Sequence, residues 1–224
     1  MLAGCSTMEI EAAASSDDVT QEILAKGLSH EENLKEAGKL DDPHLVKIVT
    51  LKLKNDRDKK IQGIIDDEKS EEFANQVNVS GDRSIFTSLK INESLQSGIL
   101  STNMDNLNYY FVGKLNKETD FIEHKLHLSL VYNSKSSRDY NAISFCDQWN
   151  NCQESNMVKV ISVSGSNCKS SSCDFKEVFE IDLTDDFLKS TLMSGFSMRL
   201  ISKDKTNSIK IPKAYLMGYL KVAQ

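Results

Sequence analysis

Two stretches of alternating apolar and polar residues, joined by a short polar turn, constrain the fold of this chain most. In the first stretch Tyr109, Phe111 and Leu115 lie an even number of positions apart, and the same holds from Ile122 to Leu130 in the second. Successive side chains of a β-strand point to opposite faces, so each stretch predicts a strand with one buried face. The turn between them, residues 116–120, is too short for a crossover helix. We therefore expect an antiparallel hairpin here.

Shorter segments of the same kind predict further strands on both sides of this hairpin. Apolar and β-branched residues, which favour strands, recur in each of these segments. The segments predicted to be strands cover residues 45–53, 85–91, 140–145, 157–163, 175–183, 196–200 and 209–211. The polar loops between residues 140 and 183 are short, which favours antiparallel pairing of neighbouring strands. The expected fold is therefore mainly β, an antiparallel meander or β-sandwich-like domain.

Two helices are expected in the C-terminal part of the chain. Thr184 can cap the first, near residues 185–194, and Gly195 supplies its C-terminal stop. Pro212 begins the second, near residues 212–222, because proline is favoured at the first helical position. This second helix carries an apolar stripe of Tyr215, Leu216, Tyr219 and Leu220.

The beginning of the chain differs in composition from the rest, and we expect the chain to have three parts. Residues 1–18 are mostly small and polar, which is typical of a flexible tether. Residues 19–41 have apolar residues at helical spacing, interrupted by two glycines, and predict a marginal helical stalk, as one helix or two short ones. Residues 42–224 are expected to form the β domain. Within it, the charged segment 55–72 lacks apolar periodicity and is expected to be a loop with a short helix.

Net charge and the spacing of charged residues argue against several ligand classes. The formal net charge is -6 at pH 7, and the most basic window, from Lys52 to Lys60, is interrupted by two aspartates. Nucleic-acid binding needs clustered cations, so no nucleic-acid partner is expected. The acidic residues occur in consecutive runs and lack the alternating spacing of a calcium-binding loop. His124 and His127 lie three positions apart on a predicted strand, so they face opposite ways and cannot share a metal. We expect neither a metal nor a cofactor.

Four of the five cysteines are clustered, at positions 146, 152, 168 and 173, and this even set favours two disulfides in an oxidising compartment. In the expected meander, the strand over residues 157–163 separates the first two from the last two by roughly 20 Å, whereas bridged Cα atoms lie about 5 to 6 Å apart. We therefore predict the pairs Cys146 with Cys152 and Cys168 with Cys173. The alternatives are a four-cysteine zinc site, for which these spacings are wide, and four unpaired thiols in a cytosolic protein.

The only tryptophan, Trp149, falls inside the first predicted disulfide loop, among polar residues. Tryptophan is enriched at interaction hot spots, which makes Trp149 a candidate contact residue for a partner. The alternative is that its ring folds back and covers the edge of the sheet.

The N-terminus carries a short motif that resembles the lipobox of bacterial lipoproteins. It reads Leu2-Ala3-Gly4-Cys5, and Ser6 and a polar stretch follow it. The resemblance implies cleavage before Cys5, acylation of its thiol and amino group, and attachment to a membrane through the acyl chains. The basic region and most of the apolar region of the implied signal peptide would lie upstream. Ser6 resembles the residue found here in lipoproteins that Gram-negative cells export to the outer membrane, so we expect the periplasmic face of that membrane.

The cysteine count and the end of the chain agree with this expectation. Setting Cys5 aside as the acylated residue leaves the even set of four. The last hundred or so residues, with Pro212 and Tyr215 near the final helix, resemble Gram-negative envelope lipoproteins that have no assigned activity. We therefore expect a non-catalytic lipoprotein whose β domain binds another envelope component. The alternatives are an envelope hydrolase with an unrecognised site, although no Gly-x-Ser-x-Gly motif is present, and a cytoplasmic β protein.

Overall fold

The computed structural model describes residues 16–96, 104–147, 151–153 and 156–223. These residues form a mainly β structure of antiparallel sheets with a C-terminal helix, which confirms the expected fold class. The chain divides into two compact units, the first ending at Ile65 and the second beginning at Asp66. This division lies inside a helix, rather than between residues 41 and 42 where the composition changes.

The first unit is helical. It contains α1 (16–25), α2 (His30–Ala37) and the first part of α3 (Pro43–Ala74). Its core is a small cluster of buried side chains, Ile23, Ala37, Val49 and Leu53. The helix α2 begins with a capping box, in which Ser29 and Glu32 each accept a hydrogen bond from the other's backbone N–H. Two short helices, α1 and α2, thus cover most of the segment 19–41, and α1 begins three residues before it.

The strand predicted over residues 45–53 and the loop predicted over 55–72 are wrong, because both segments belong to α3. The β-branched run contains a competing period: residues 45, 49 and 53 are four apart, and the last two are buried. Pro43 occupies the first helical position, and the Asp42 carboxylate accepts a hydrogen bond from the backbone N–H of His44 at 2.8 Å. The helical period therefore decides this segment.

The second unit contains two antiparallel sheets. The first sheet has the order β1-β2-β4-β5-β9-β8, with β3 also paired to β4. Its strands are β1 (Asn78–Val79), β2 (Ile85–Thr87), β3 (Ile91–Gln96), β4 (Met104–Asn116), β5 (Phe121–Ser134), β8 (Lys159–Ser166) and β9 (Cys173–Leu183). The second sheet has the order β11-β10-β6-β7. Its strands are β6 (Ala142–Cys146), β7 (Asn156–Met157), β10 (Phe196–Ile201) and β11 (Thr206–Ile211).

The long hairpin predicted from the alternating pattern is β4 with β5. Its register joins Leu115 to Ile122 across the polar turn, and one face of each strand is buried. The alternation of residues 85, 87, 89 and 91 predicts that Ile85 is on the buried face of its strand, and this is wrong, because in β2 Phe86 is buried and Ile85 is 42% exposed. The buried face continues at Ser88, whose hydroxyl accepts a hydrogen bond from the backbone N–H of Phe111 at 2.8 Å. A small hydroxyl with a partner thus replaces an apolar residue there.

The simple meander is also wrong in one connection. After β5 the chain leaves the first sheet, forms β6 and β7 in the second, and returns to the first as β8 and β9. The turn from β5 into β6 is held by the Glu177 carboxylate of β9, which accepts hydrogen bonds from the backbone N–H groups of Arg138, Asp139 and Tyr140 at 3.1 to 3.2 Å. This turn sends β6 to the other layer, so β5 pairs with β9.

β8 is an edge strand of the first sheet, and all eight of its residues are exposed. Val160, Ile161 and Val163 are between 42% and 49% exposed. A register shift between Val160 and Ser162 interrupts its pairing with β9, which is the pattern of a β-bulge. At its first residue, the ammonium group of Lys159 lies 2.7 Å from the Glu180 carboxylate.

Two C-terminal helices complete this unit, α4 (Asp185–Ser190) and α5 (Lys213–Val222), close to the predicted positions. The Thr184 hydroxyl caps α4 by accepting a hydrogen bond from the backbone N–H of Phe187 at 3.2 Å. Pro212 is the N-cap of α5 rather than its first residue. Tyr219 of α5 stacks on Phe111 of β4, with ring centroids 4.8 Å apart. Among the helices described, none is long and apolar enough to cross a membrane.

Candidate functional site

A cavity of about 1250 Å³ lies at one end of the second sheet. It forms where β6 ends, β10 begins and β11 ends, and α4 with its following turn closes one side. We call it the phenylalanine groove, and it is lined chiefly by Phe145, Phe187, Phe196, Met193, Lys210 and the disulfide Cys146–Cys152.

The three phenylalanines come from three different elements and pack against one another. The Phe187 ring, at the first turn of α4, lies 4.6 Å from Phe145 of β6 and 5.1 Å from Phe196 of β10, measured between centroids. The Phe145 and Phe196 rings are 6.0 Å apart. Phe196 is buried, whereas Phe145 and Phe187 are half-buried and leave part of their rings facing the groove. The groove thus has an aromatic floor that belongs to the edge of the main core.

The turn after α4 depends on Gly195, which has a φ of +68°. A Cβ atom here would collide with the Ile211 carbonyl oxygen and lie 2.7 Å from the Lys213 backbone nitrogen. The position therefore requires glycine both for its backbone conformation and for the close approach of a neighbouring segment. Met193, in the same turn, is 79% exposed and forms one wall of the groove.

The disulfide between Cys146 and Cys152 holds the opposite wall. Beyond Cys146, the Asp147 carboxylate accepts hydrogen bonds from the backbone N–H and the side-chain amide of Asn151 at 2.9 and 3.1 Å. The backbone N–H of Gln153 donates to the carbonyl of Phe145 at 2.8 Å, which ties the loop back to β6. The two ends of the loop, residues 146–147 and 151–153, are thus joined by covalent and polar contacts.

Both predicted disulfide pairings are confirmed, Cys146 with Cys152 and Cys168 with Cys173. They lie on either side of β8 in the chain, as expected, although β6 belongs to the other sheet. A smaller cavity of about 340 Å³ lies beside the second disulfide and is lined by Lys135, Lys169 and three serines. Two of the predicted site residues, Cys5 and Trp149, lie outside the described residues.

Hydrophobic periodicity did not reveal a buried polar network between the two sheets. The Arg138 guanidinium donates two hydrogen bonds to the Asp105 carboxylate, at 2.5 and 3.0 Å, and lies 3.9 Å from the centroid of the Tyr132 ring. The Tyr132 hydroxyl donates to Glu177, a fully buried carboxylate. Burial raises the pKa of Tyr132 above its ordinary value, and hydrogen bonding to Glu177 raises it further. Asp105 and Glu177 occupy positions where the alternation of their strands calls for an apolar residue. This interruption of the apolar pattern was the one sign of the network in the sequence.

This network also reaches the second sheet. Asn207 of β11 donates from its side-chain amide to Asp105 at 3.3 Å and accepts a hydrogen bond from the Tyr140 hydroxyl. Burial raises the pKa of Tyr140 to about 12. Because every member has a partner inside the protein, the network serves to hold the sheets in one arrangement. None of its residues lines the phenylalanine groove.

The two histidines of β5 face opposite sides of the sheet, as predicted. His124 is buried, and its Nδ1 atom lies 2.8 Å from the Tyr219 hydroxyl. His127 stacks on Tyr110 with the ring centroids 5.0 Å apart. Burial lowers the pKa of both histidines below the ordinary value, although nearby carboxylates act in the other direction. Gly113 makes room for the Tyr219 hydroxyl opposite His124. This cluster docks α5 onto the sheet.

The described part of the chain contains no group of three or more histidine, cysteine, aspartate or glutamate side chains that could hold a metal ion. The groove combines an aromatic floor with polar walls, which is the arrangement of a binding surface. The chain matches no known protein family, and no curated protein or solved structure shows significant similarity to it.

Proposed function

We propose that this protein is a non-catalytic lipoprotein of the outer membrane, held at the periplasmic face by acylated Cys5, whose β domain binds another envelope component. The observation that carries the proposal is the cysteine pairing. All four cysteines between residues 146 and 173 are joined in two disulfides, and Cys5 is the one cysteine left in the sequence. Disulfides of this kind persist in oxidising compartments such as the periplasm.

The anchor is supported by simple energetics. Each buried methylene of an acyl chain contributes about 0.8 kcal/mol to membrane binding, so one chain binds reversibly and two or three bind stably. A lipobox cysteine receives two chains on its thiol and often a third on its amino group. The polar residues that follow Cys5 in the sequence suit a tether between lipid and domain.

The phenylalanine groove is the surface we assign to partner binding. It combines half-buried aromatic rings, an exposed methionine and a polar wall, and the disulfide keeps its shape. A binding surface that is already formed loses little conformational entropy when its partner binds.

Mass spectrometry of the N-terminal peptide, from protein expressed in a Gram-negative cell with its natural upstream sequence, tests the anchor. We expect a peptide that begins at Cys5 and carries diacylglycerol and an amide-linked acyl chain. Cys5→Ser should move the protein from the membrane to the soluble fraction. A free Cys5 thiol, or a retained upstream sequence, would contradict the anchor.

A matched variant tests the choice of membrane. Ser6→Asp keeps the acylation site, and Asp at this position resembles the signal for inner-membrane retention. We therefore expect S6D to remain acylated but to sediment with the inner membrane, whereas the unaltered protein sediments with the outer membrane. Equal distribution of the two forms would refute the assignment to the outer membrane.

A further inference from the structure

The size of the phenylalanine groove points to its class of ligand. Pockets for small molecules have volumes of about 300 to 1000 Å³ and enclose most of the ligand. The groove, at about 1250 Å³, is larger and open to solvent along one side. An extended peptide segment of several residues fits such a groove better than a small molecule, because one side of a bound peptide can stay in water.

Charge at the groove narrows the class further. Lys210 of β11 lines the groove. Ser197 of β10 pairs with Lys210, and Arg199 of β10 pairs with Ser208. Arg199 is therefore the diagonal neighbour of Lys210 and lies on the same face of the second sheet. Neither cation has a hydrogen-bond or ion-pair partner within the described part of the chain. In a protein of net charge -6, two unpaired neighbouring cations form a local positive site. A carboxylate is the complementary group.

Carboxylates on the protein limit where such a ligand can bind. Asp147 lies on the disulfide wall of the groove, two strands away from Lys210 in the order of the second sheet, and its carboxylate accepts hydrogen bonds from Asn151. An acidic ligand is repelled from that wall and attracted to the wall of Lys210. The charges therefore give a bound acidic segment a preferred side.

The apolar part of the groove supplies the second recognition element. Phe145 and Phe187 leave part of their rings uncovered, and the Met193 side chain beside them is flexible and exposed. An aromatic or aliphatic side chain inserted here would cover all three, and methionine adapts its shape to different partners. The register puts Lys210 and Arg199 on the face of the second sheet opposite to Phe145 and Phe196. Lys210 and both rings nonetheless line the groove at the end of the sheet, so a peptide segment that runs around this end can reach the rings and the cations.

We propose that the phenylalanine groove binds an extended peptide segment of a partner protein, in which an acidic residue stands next to a large apolar one. The acidic side chain pairs with Lys210 and Arg199, and the apolar side chain packs on Phe145, Phe187 and Met193. The proposal rests on the proposed function only in taking the partner to be an envelope protein. Binding itself is measured without the anchor.

Fluorescence anisotropy with the full chain carrying Cys5→Ser tests the proposal. The probe is a fluorescein-labelled peptide, Gly-Asp-Phe-Leu-Asp-Gly. We expect saturable binding with a dissociation constant below about 1 mM, weakened by added salt. A peptide with lysines in place of the aspartates, and another with serines in place of phenylalanine and leucine, should each bind at least about tenfold more weakly.

Variants of the protein locate the binding site. Lys210→Glu and Arg199→Glu should each weaken binding at least about tenfold, since each reverses the charge at the acidic side chain. Lys176→Glu is the matched control, because Lys176 is an exposed cation on β9 of the other sheet, and it should leave binding unchanged. Met193→Ser should weaken the Phe-Leu peptide but not alter the salt dependence.

Three results would overturn the proposal: no saturable binding, equal binding of the lysine peptide, or unchanged binding by K210E and R199E. Each of these leaves the anchor untouched, because acylation of Cys5 is read separately by mass spectrometry. Conversely, an unmodified Cys5 in the protein with its natural cysteine would refute the anchor and would not affect binding of the acidic peptide at the groove.

Discussion

At the scale of single residues, the core of this protein contains polar side chains whose burial is explained by their hydrogen-bond partners. His124 is buried between β5, α4 and α5, where the Tyr219 hydroxyl contacts one ring nitrogen at 2.8 Å and the Asp185 carboxylate lies 3.9 Å from the other. The sequence pattern places His124 on the apolar face of its strand correctly. It cannot identify the partners, because Tyr219 lies 95 positions away.

The burial of His124 makes stability depend on pH. Burial lowers its pKa below the ordinary value of about 6.5, so in acid the unfolded chain binds a proton that the folded chain does not. The free energy of unfolding should therefore fall as the pH drops below about 6.5 toward the lowered pKa. His127 contributes with the same sign, since burial lowers its pKa as well.

Urea unfolding at pH 7.5 and pH 5.5 measures this effect. His124→Gln keeps a hydrogen-bonding group beside Tyr219 but cannot be protonated, so it should lose less stability between the two pH values than the unaltered protein. His127→Gln serves as the comparison for the second histidine. The same loss of stability in H124Q as in the unaltered protein would show that His124 does not titrate as its burial requires.

At the scale of elements, the strands with strict alternation were predictable and the long helix was not. The pattern of β4 and β5 has a single interpretation, because one face of each strand is buried along nearly its whole length. In α3 the residues around Val49 favour a strand by type and a helix by spacing. Packing against α1 and α2 settles the competition, and no local pattern contains that information.

Two glycines test the assignment of elements. Gly195 has a positive φ and no room for a Cβ atom, so Gly195→Ala should destabilise the protein by about 2 kcal/mol or more. Gly63 lies inside α3, and a methyl group added there would have no neighbouring atom within 4 Å. Gly63→Ala should therefore stabilise the protein by about 0.5 to 1 kcal/mol.

Chemical denaturation of the two glycine variants distinguishes the outcomes. A loss of stability in G63A would contradict the helix α3. It would instead support the loop predicted from the charged composition of residues 55–72. A neutral G195A would mean that the turn after α4 can rearrange. In that case the groove wall that contains Met193 would not be fixed.

At the scale of the whole molecule, the path of the chain between the two sheets depends on charged residues in the interior. Hydrophobic periodicity identifies most of the strands but assigns β6 to the wrong neighbours. The deciding contacts are between Glu177 and three backbone N–H groups, and between Arg138 and Asp105. Such contacts join residues 33 or more positions apart, so the hydrophobic periodicity of the sequence does not show them. The disulfide pairing was nonetheless predictable, because β8 separates the two cysteine pairs in either topology.

The Arg138 ion pair provides a test at this scale. Arg138→Ala leaves the Asp105 carboxylate buried without its cation, so it should cost about 3 to 5 kcal/mol of unfolding free energy. The control is Arg57→Ala, which removes an exposed arginine paired with Asp58 and should cost about 1 kcal/mol or less. Urea unfolding gives both values, and similar costs for the two variants would show that the buried network does not hold the sheets together.

The exposed edge strand β8 would affect how copies of this protein meet on a membrane surface, where we propose that it is anchored. Proteins anchored to a bilayer are confined to two dimensions, where neighbouring copies meet repeatedly and an open strand edge can recruit another strand. The bulge after Val160 interrupts the regular row of backbone groups that such recruitment requires, and a charged side chain, Lys159, stands at the start of the strand. On the membrane anchor that we propose, these two features would oppose pairing of β8 with the same strand of a neighbouring copy, even at high surface density.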